Sequence, residues 1–224
     1  MNFMEIKSGR TVLREVIHAY KTDEDAQSYI YLIAGVHGDE VEGVYVLEQL
    51  FNWIKGKNCI GLPLIVIPVL NIDGYRVNTR VNANGVDLNR NLPSQNWTNT
   101  ASEKKYFPGS APLSEPENQY LVELFEKYPP KYILSFHSWK PILNFNGKCE
   151  HIANFLAKYN NYPVEGDIGY PTPGSLGEYG TEKYNTPVLT FELPPHSEKL
   201  KLKEIWEENM EGLFALMKSG LLNK

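Results

Sequence analysis

Two apolar runs constrain this chain most: residues 29–34 (YIYLIA) and residues 62–70 (LPLIVIPVL). Runs of this length bounded by polar segments read as buried strands, over 29–34 and 64–70, and both fall far short of the ~20 residues that cross a bilayer. Between them, residues 40–54 place Val41, Val44, Leu47, Leu50, Phe51 and Ile54 at the spacing of an amphipathic helix. Strand, helix and strand make a βαβ unit, and the alternation continues. A helix over 115–128 has Pro116 in its first turn and Pro129-Pro130 as its stop, and it feeds a strand over 131–136. A helix over 151–159 precedes a strand over 187–192. A closing helix over 198–217 carries the stripe Leu202, Ile205, Trp206, Met210 and Phe214. The expected class is α/β, a sheet covered by helices. At 224 residues with no repeat or linker, one domain over 1–224 is expected.

The formal charge of -5, with no basic run, argues against a nucleic acid or an anionic membrane as partner and favours a small molecule or peptide. Two cysteines, Cys59 and Cys149, in a chain of this size read as free thiols of a reducing compartment. Residues 1–10 (MNFMEIKSGR) carry Glu5, Lys7 and Arg10 and no apolar segment of the secretory kind, so a cytoplasmic location is expected. Oligomeric state is not legible.

Open α/β sheets place ligands beyond the carboxyl ends of their strands. Polar motifs lie there: HGDE (37–40) and NIDG (71–74) follow strands, His137 in SFHS (135–138) follows the strand ending at Phe136, Glu192 in TFELPP (190–195) ends its own strand, and GVDLNRN (85–91) completes the set. His37, Glu40 and His137 together could hold one Zn2+ with a fourth position open, since imidazole and carboxylate suit that ion. A second glutamate could move a proton, and an Asn-Arg pair could grip a carboxylate. Each motif alone has a bland alternative: a histidine satisfied inside the core, or a polar turn in place of the Asn-Arg-Asn run. His18 and His151 read as structural or surface residues, and His196 as a possible support beside Glu192.

In content and order these motifs resemble the zinc metallocarboxypeptidases related to carboxypeptidase A, over residues 30–195. The resemblance implies a carboxypeptidase-like mixed sheet flanked by helices, with one zinc ion held by His37, Glu40 and His137. It implies Glu192 as general base and later proton donor, and Asn89 and Arg90 as the grip on the carboxylate next to the scissile bond. An arginine that polarises the scissile carbonyl is implied between the NIDG and GVD stretches; Arg80 is favoured and Arg76 stays open. A tyrosine closing over substrate is implied at Tyr170, with Tyr179 as the alternative. The short loops, residues 168–180 and the ending FELPP look like the bacterial murein peptide amidases, which cut the γ-D-glutamyl-diaminopimelate bond of cell-wall peptides. The position after Ser175, which lines the pocket for the leaving residue in this family, is Leu176, and it suits an apolar residue; Glu178 and Lys140 are charged candidates for a polar one. The alternatives are a general carboxypeptidase or N-acyl amino acid deacylase of the same superfamily, and an inactive module that binds cell-wall peptides. The role of residues 96–112, a polar loop rich in Gly and Pro, stays open.

Overall fold

The computed structural model describes residues 2–23, 25–56 and 61–223. In chain order the main elements are β1 (Phe3–Glu5), β2 (Gly9–Arg10), β3 (Val16–Ile17), β4 (Tyr20–Thr22), β5 (Tyr29–Ala34), α1 (Val41–Lys55), β6 (Leu64–Ile67) and α2 (Ile72–Val77). They continue with α3 (Pro116–Lys127), β7 (Pro130–Ser138), β8 (Ile142–Asn146), α4 (Glu150–Asn160), β9 (Val164–Glu165), α5 (Leu176–Tyr184), β10 (Val188–Leu193) and α6 (Leu202–Lys218). Among the described residues, eight strands form one sheet in the order β1-β4-β6-β5-β7-β10-β8-β9. Its centre, β6-β5-β7-β10, is parallel. The flanking pairs β1-β4, β4-β6 and β10-β8 are antiparallel, which makes the sheet mixed.

Side chains of the central strands divide by the two-residue period of a strand. Leu32, Leu134, Phe136, Leu189 and Phe191 face a layer built by α1, α4 and α6, with Leu47, Leu50, Ile152, Ile205 and Leu213 opposite them. Ile33, Ile133 and Val188 face the other way, onto Leu121 and Phe125 of α3 and Leu176 and Tyr179 of α5. Each fully enclosed Phe or Ile side chain stabilises the fold by about 1.5–3 kcal/mol, so the four central strands are firmly fixed relative to one another.

The expected βαβ alternation is present, with differences at the ends. The strand expected over 64–70 stops at Ile67, and β7 runs to Ser138, so His137 lies inside the strand rather than after it. The strand β8 and the helices α2 and α5 are additions. Cys149 is a free, buried thiol, and Cys59 lies outside the described residues. No helix among the described residues is long and apolar enough to cross a membrane.

Candidate active site

Register brings the first two functional groups together. His137 on β7 is the lateral partner of Glu192 on β10, and Ser135 is the partner of Thr190. All four side chains emerge on the face covered by α3 and α5, but at the carboxyl ends of the strands, where a cavity of about 930 Å3 opens. His37 and Glu40 arrive from the turn between β5 and α1. Their approach to β7 depends on Gly43 in the first turn of α1, where a Cβ would sit 2.6 Å from the Phe136 carbonyl oxygen.

At the centre, His37 Nδ1 lies 2.7 Å from Glu40 Oε1, His137 Nδ1 lies 2.8 Å from Glu40 Oε2, and the two imidazole Nδ1 atoms are 3.2 Å apart. One ligating atom from each of these residues lies within 4.8 Å of the other two. The remaining ring nitrogens are held from behind: His37 Nε2 is 3.1 Å from Asp87 Oδ1, and His137 Nε2 is 2.9 Å from Ser135 Oγ. Two imidazoles and a carboxylate, each imidazole braced through its far nitrogen, are the donor set and the support that a zinc ion takes. The residues present therefore fit the ion.

Charge is distributed accordingly. Burial and the nearby Arg80 oppose protonation of His37, but Glu40 and Asp87 outweigh them and raise the imidazole to about 9. Burial would raise the Glu40 carboxyl, yet His37 and His137 drive it well below the usual carboxylate range. Asp87 is likewise held low against its burial, by His37 and then Arg80. Glu192 behaves in the opposite way: burial pushes it up to about 7, with Glu40 adding to the effect and His137 opposing it.

Arg80 lines the cavity, with Nε and Nη2 on Asp87 Oδ2 at 3.0 and 2.9 Å and Nη1 3.4 Å from Glu40 Oε1. The NIDG turn supports it from below: Asn71 caps α2 by accepting from Gly74 N–H and donates through Nδ2 to the Arg80 carbonyl. Arg76 goes elsewhere. Its guanidinium pairs with Glu15 and is not part of the cavity wall. Asn89 and Arg90 both line the cavity; Asn89 Oδ1 accepts from Leu176 N–H at 2.8 Å, which leaves the amide nitrogen as a donor.

Tyr170 stands at the rim, 45% exposed, edge-on to Trp139 with ring centroids 5.9 Å apart. Tyr179 is buried in the core against Tyr184, away from the opening. Leu176 also differs from expectation. As the first residue of α5 its side chain turns into the core, so the wall there is made by Ser175, Gly177 and Glu178 together with Asn144, Asn146 and Thr190. Lys140 is not on the wall and sits over the Trp139 ring. His196 lines the cavity and bonds Glu42 through Nδ1.

One contributor escaped the sequence reading. Asp87 is fully buried and serves His37, Arg80 and the Asn89 N–H at once. Its place inside GVDLNRN was the available signal, but a carboxylate in a polar turn ordinarily reads as solvated. Tyr106 and Lys105, from the loop of unassigned role, also border the cavity.

The family described as zinc carboxypeptidase matches over residues 1–155. The murein peptide amidase A of Vibrio campbellii is 30% identical over 220 residues, 93% of this chain and 85% of that one. The crystal structure of murein-tripeptide amidase MpaA from Escherichia coli O157 superposes with a TM-score of 0.75 at 29% identity, covering 94% of this chain and 89% of that one. Carboxypeptidase A from Helicoverpa armigera shares the fold at 15% identity, with a TM-score of 0.78 over 98% of this chain and 69% of that one.

Proposed function

This chain belongs to the zinc carboxypeptidase family and is a peptidase or amidase; from that premise we propose that it hydrolyses the amide bond between γ-D-glutamate and diaminopimelate in murein tripeptide. The observation that carries the chemistry is the pairing of His137 with Glu192 across β7 and β10, beside His37 and Glu40. The likeness to murein peptide amidases over nearly the whole chain supports the choice of substrate. So does the wall of Asn144, Asn146, Thr190 and Glu178, which suits a leaving residue with a polar end.

In this reading His37, Glu40 and His137 hold one zinc ion. When bound, the ion supplies Lewis acidity to the scissile carbonyl and to the attacking water. Arg90 and Asn89 bind the carboxylate adjacent to the scissile amide, the planar guanidinium matching it with paired donors. The Arg80 guanidinium, oriented by its two bonds to Asp87, faces the negative charge that develops on the carbonyl oxygen. Glu192 takes a proton from water as the new carbon–oxygen bond forms and delivers it to the nitrogen as the carbon–nitrogen bond breaks. Burial raises this carboxyl above the usual carboxylate range, which favours its taking up a proton and returning it. Tyr170 covers the bound substrate from the rim.

Mass-spectrometric product analysis tests the reading. Zinc-loaded protein is incubated separately with L-Ala-γ-D-Glu-diaminopimelate and with ordinary L-peptides, with Glu192→Gln as the blank. Release of diaminopimelate alone is expected. Release of terminal residues from L-peptides, with the murein tripeptide left intact, would replace the proposal with a general carboxypeptidase.

A further inference from the structure

The segment 96–112 is stitched to the GVDLNRN turn on both sides of Asp87 and Asn91. Phe107 O accepts from Asp87 N–H at 2.8 Å, and Pro108 O and Ala111 O accept from Asn91 Nδ2 at 2.8 and 3.1 Å. Just before these anchors, a single 3-10 turn over Lys104–Tyr106 brings the Tyr106 ring into the cavity wall. Three cations meet that one ring. The guanidinium carbons of Arg80 and Arg90 lie 5.2 and 5.7 Å from its centroid, and Lys105 Nζ lies 4.9 Å away.

The two guanidiniums are not equally secured. Arg80 has Asp87 and Glu40, whereas Arg90, only 8% exposed, bonds the Asn89 carbonyl through Nη1 and has no carboxylate partner among the described residues. The buried Arg90 guanidinium feels the charge of Asp87 but makes no ion-pair contact with it, so it is free to turn unless something else holds it. An aromatic face does so, since the negative face of the ring attracts both cations without neutralising either. The charge stays available to a ligand.

We propose that Tyr106 is a positioning residue whose ring holds the Arg90 guanidinium in the cavity wall and so presents it to a carboxylate on the substrate. This rests on the reading of Arg90 as the carboxylate anchor. The ring rather than the hydroxyl does the holding, so phenylalanine serves and leucine does not.

Calorimetric binding to zinc-loaded protein carrying Glu192→Gln, which prevents turnover, separates the two ideas. The ligands are L-Ala-γ-D-Glu-diaminopimelate and its analogue in which the carboxylate next to the scissile amide is a carboxamide. Tyr106→Leu is expected to weaken binding of the acid about tenfold while leaving the carboxamide unchanged, and Tyr106→Phe to restore it, with equal zinc content throughout. An unchanged acid preference in Tyr106→Leu overturns the proposal, as does a phenylalanine variant that behaves like leucine. Arg90→Ala is the second arm. If it abolishes the acid preference while Tyr106→Leu does not, only the role of Tyr106 falls; if it leaves the preference intact, the anchor falls and the proposal with it. Binding of neither ligand by the parent would remove the substrate assignment and the proposal together.

Discussion

Glu192 shows how burying one side chain makes stability depend on pH. Its carboxyl sits at about 7 instead of the ordinary 4.5 because burial penalises its charge. A carboxyl raised on folding contributes stability that is complete below its unfolded value and is lost as pH rises through its folded one. In metal-free protein that window runs from about 4.5 to about 7. The stability of Glu192→Gln relative to the parent should therefore improve between pH 4 and pH 8, by up to about 3 kcal/mol; denaturant melts in chelator at both values give the difference, and a constant difference would contradict the assignment. The same substitution should leave zinc content intact and lower kcat by at least about a hundredfold. Undiminished turnover would remove Glu192 from the proton path. His37, His137 and Glu192 were legible because they sit at or near the ends of recognisable strands. Asp87 was not, because its value comes from burial and three partners, neither of which a local turn reveals.

The elements show why some of the site could be read and some could not. The strand β5, helix α1 and strand β7 announce themselves by periodicity, and the site inherits their placement. The six-residue α2 has no such stripe and exists through its Asn71 cap; β8, with Asn144 and Asn146 on it, is a strand by virtue of pairing with β10. Leu176 went astray for an element-level reason, since starting α5 turns its side chain inward. The contact between α1 and β7 is the most exacting. A Cβ at Gly43 would meet the Phe136 oxygen at 2.6 Å and its carbonyl carbon at 2.9 Å, both backbone atoms that have little room to yield. Gly43→Ala should push α1 away from β7, costing about 1–3 kcal/mol of stability and weakening zinc binding, because Glu40 leaves His137. Competition with a chromophoric chelator measures the affinity; a variant that binds zinc as the parent does would show that the turn absorbs the shift.

For the whole molecule, the core and the site are separable. The sheet is held by two apolar layers, and His37, Glu40 and His137 hydrogen-bond one another. Removing zinc should therefore leave the circular dichroism unchanged. Restoring the ion at a thousand times its Kd should add about 4 kcal/mol, on the order of 10 °C in Tm. A metal-free protein without a cooperative melt would contradict this. The ladder between β7 and β10 has a further effect. Because His137 and Glu192 are lateral partners in it, the spacing between the proposed metal ligand and the proposed proton carrier is set by backbone pairing, whereas Arg90, Tyr106 and Tyr170 all ride on connections outside the sheet. Such a molecule resembles a lathe with exchangeable jaws: descendants can lengthen, shorten or recharge the connections and come to hold different peptides, and the cutting geometry travels with them unaltered.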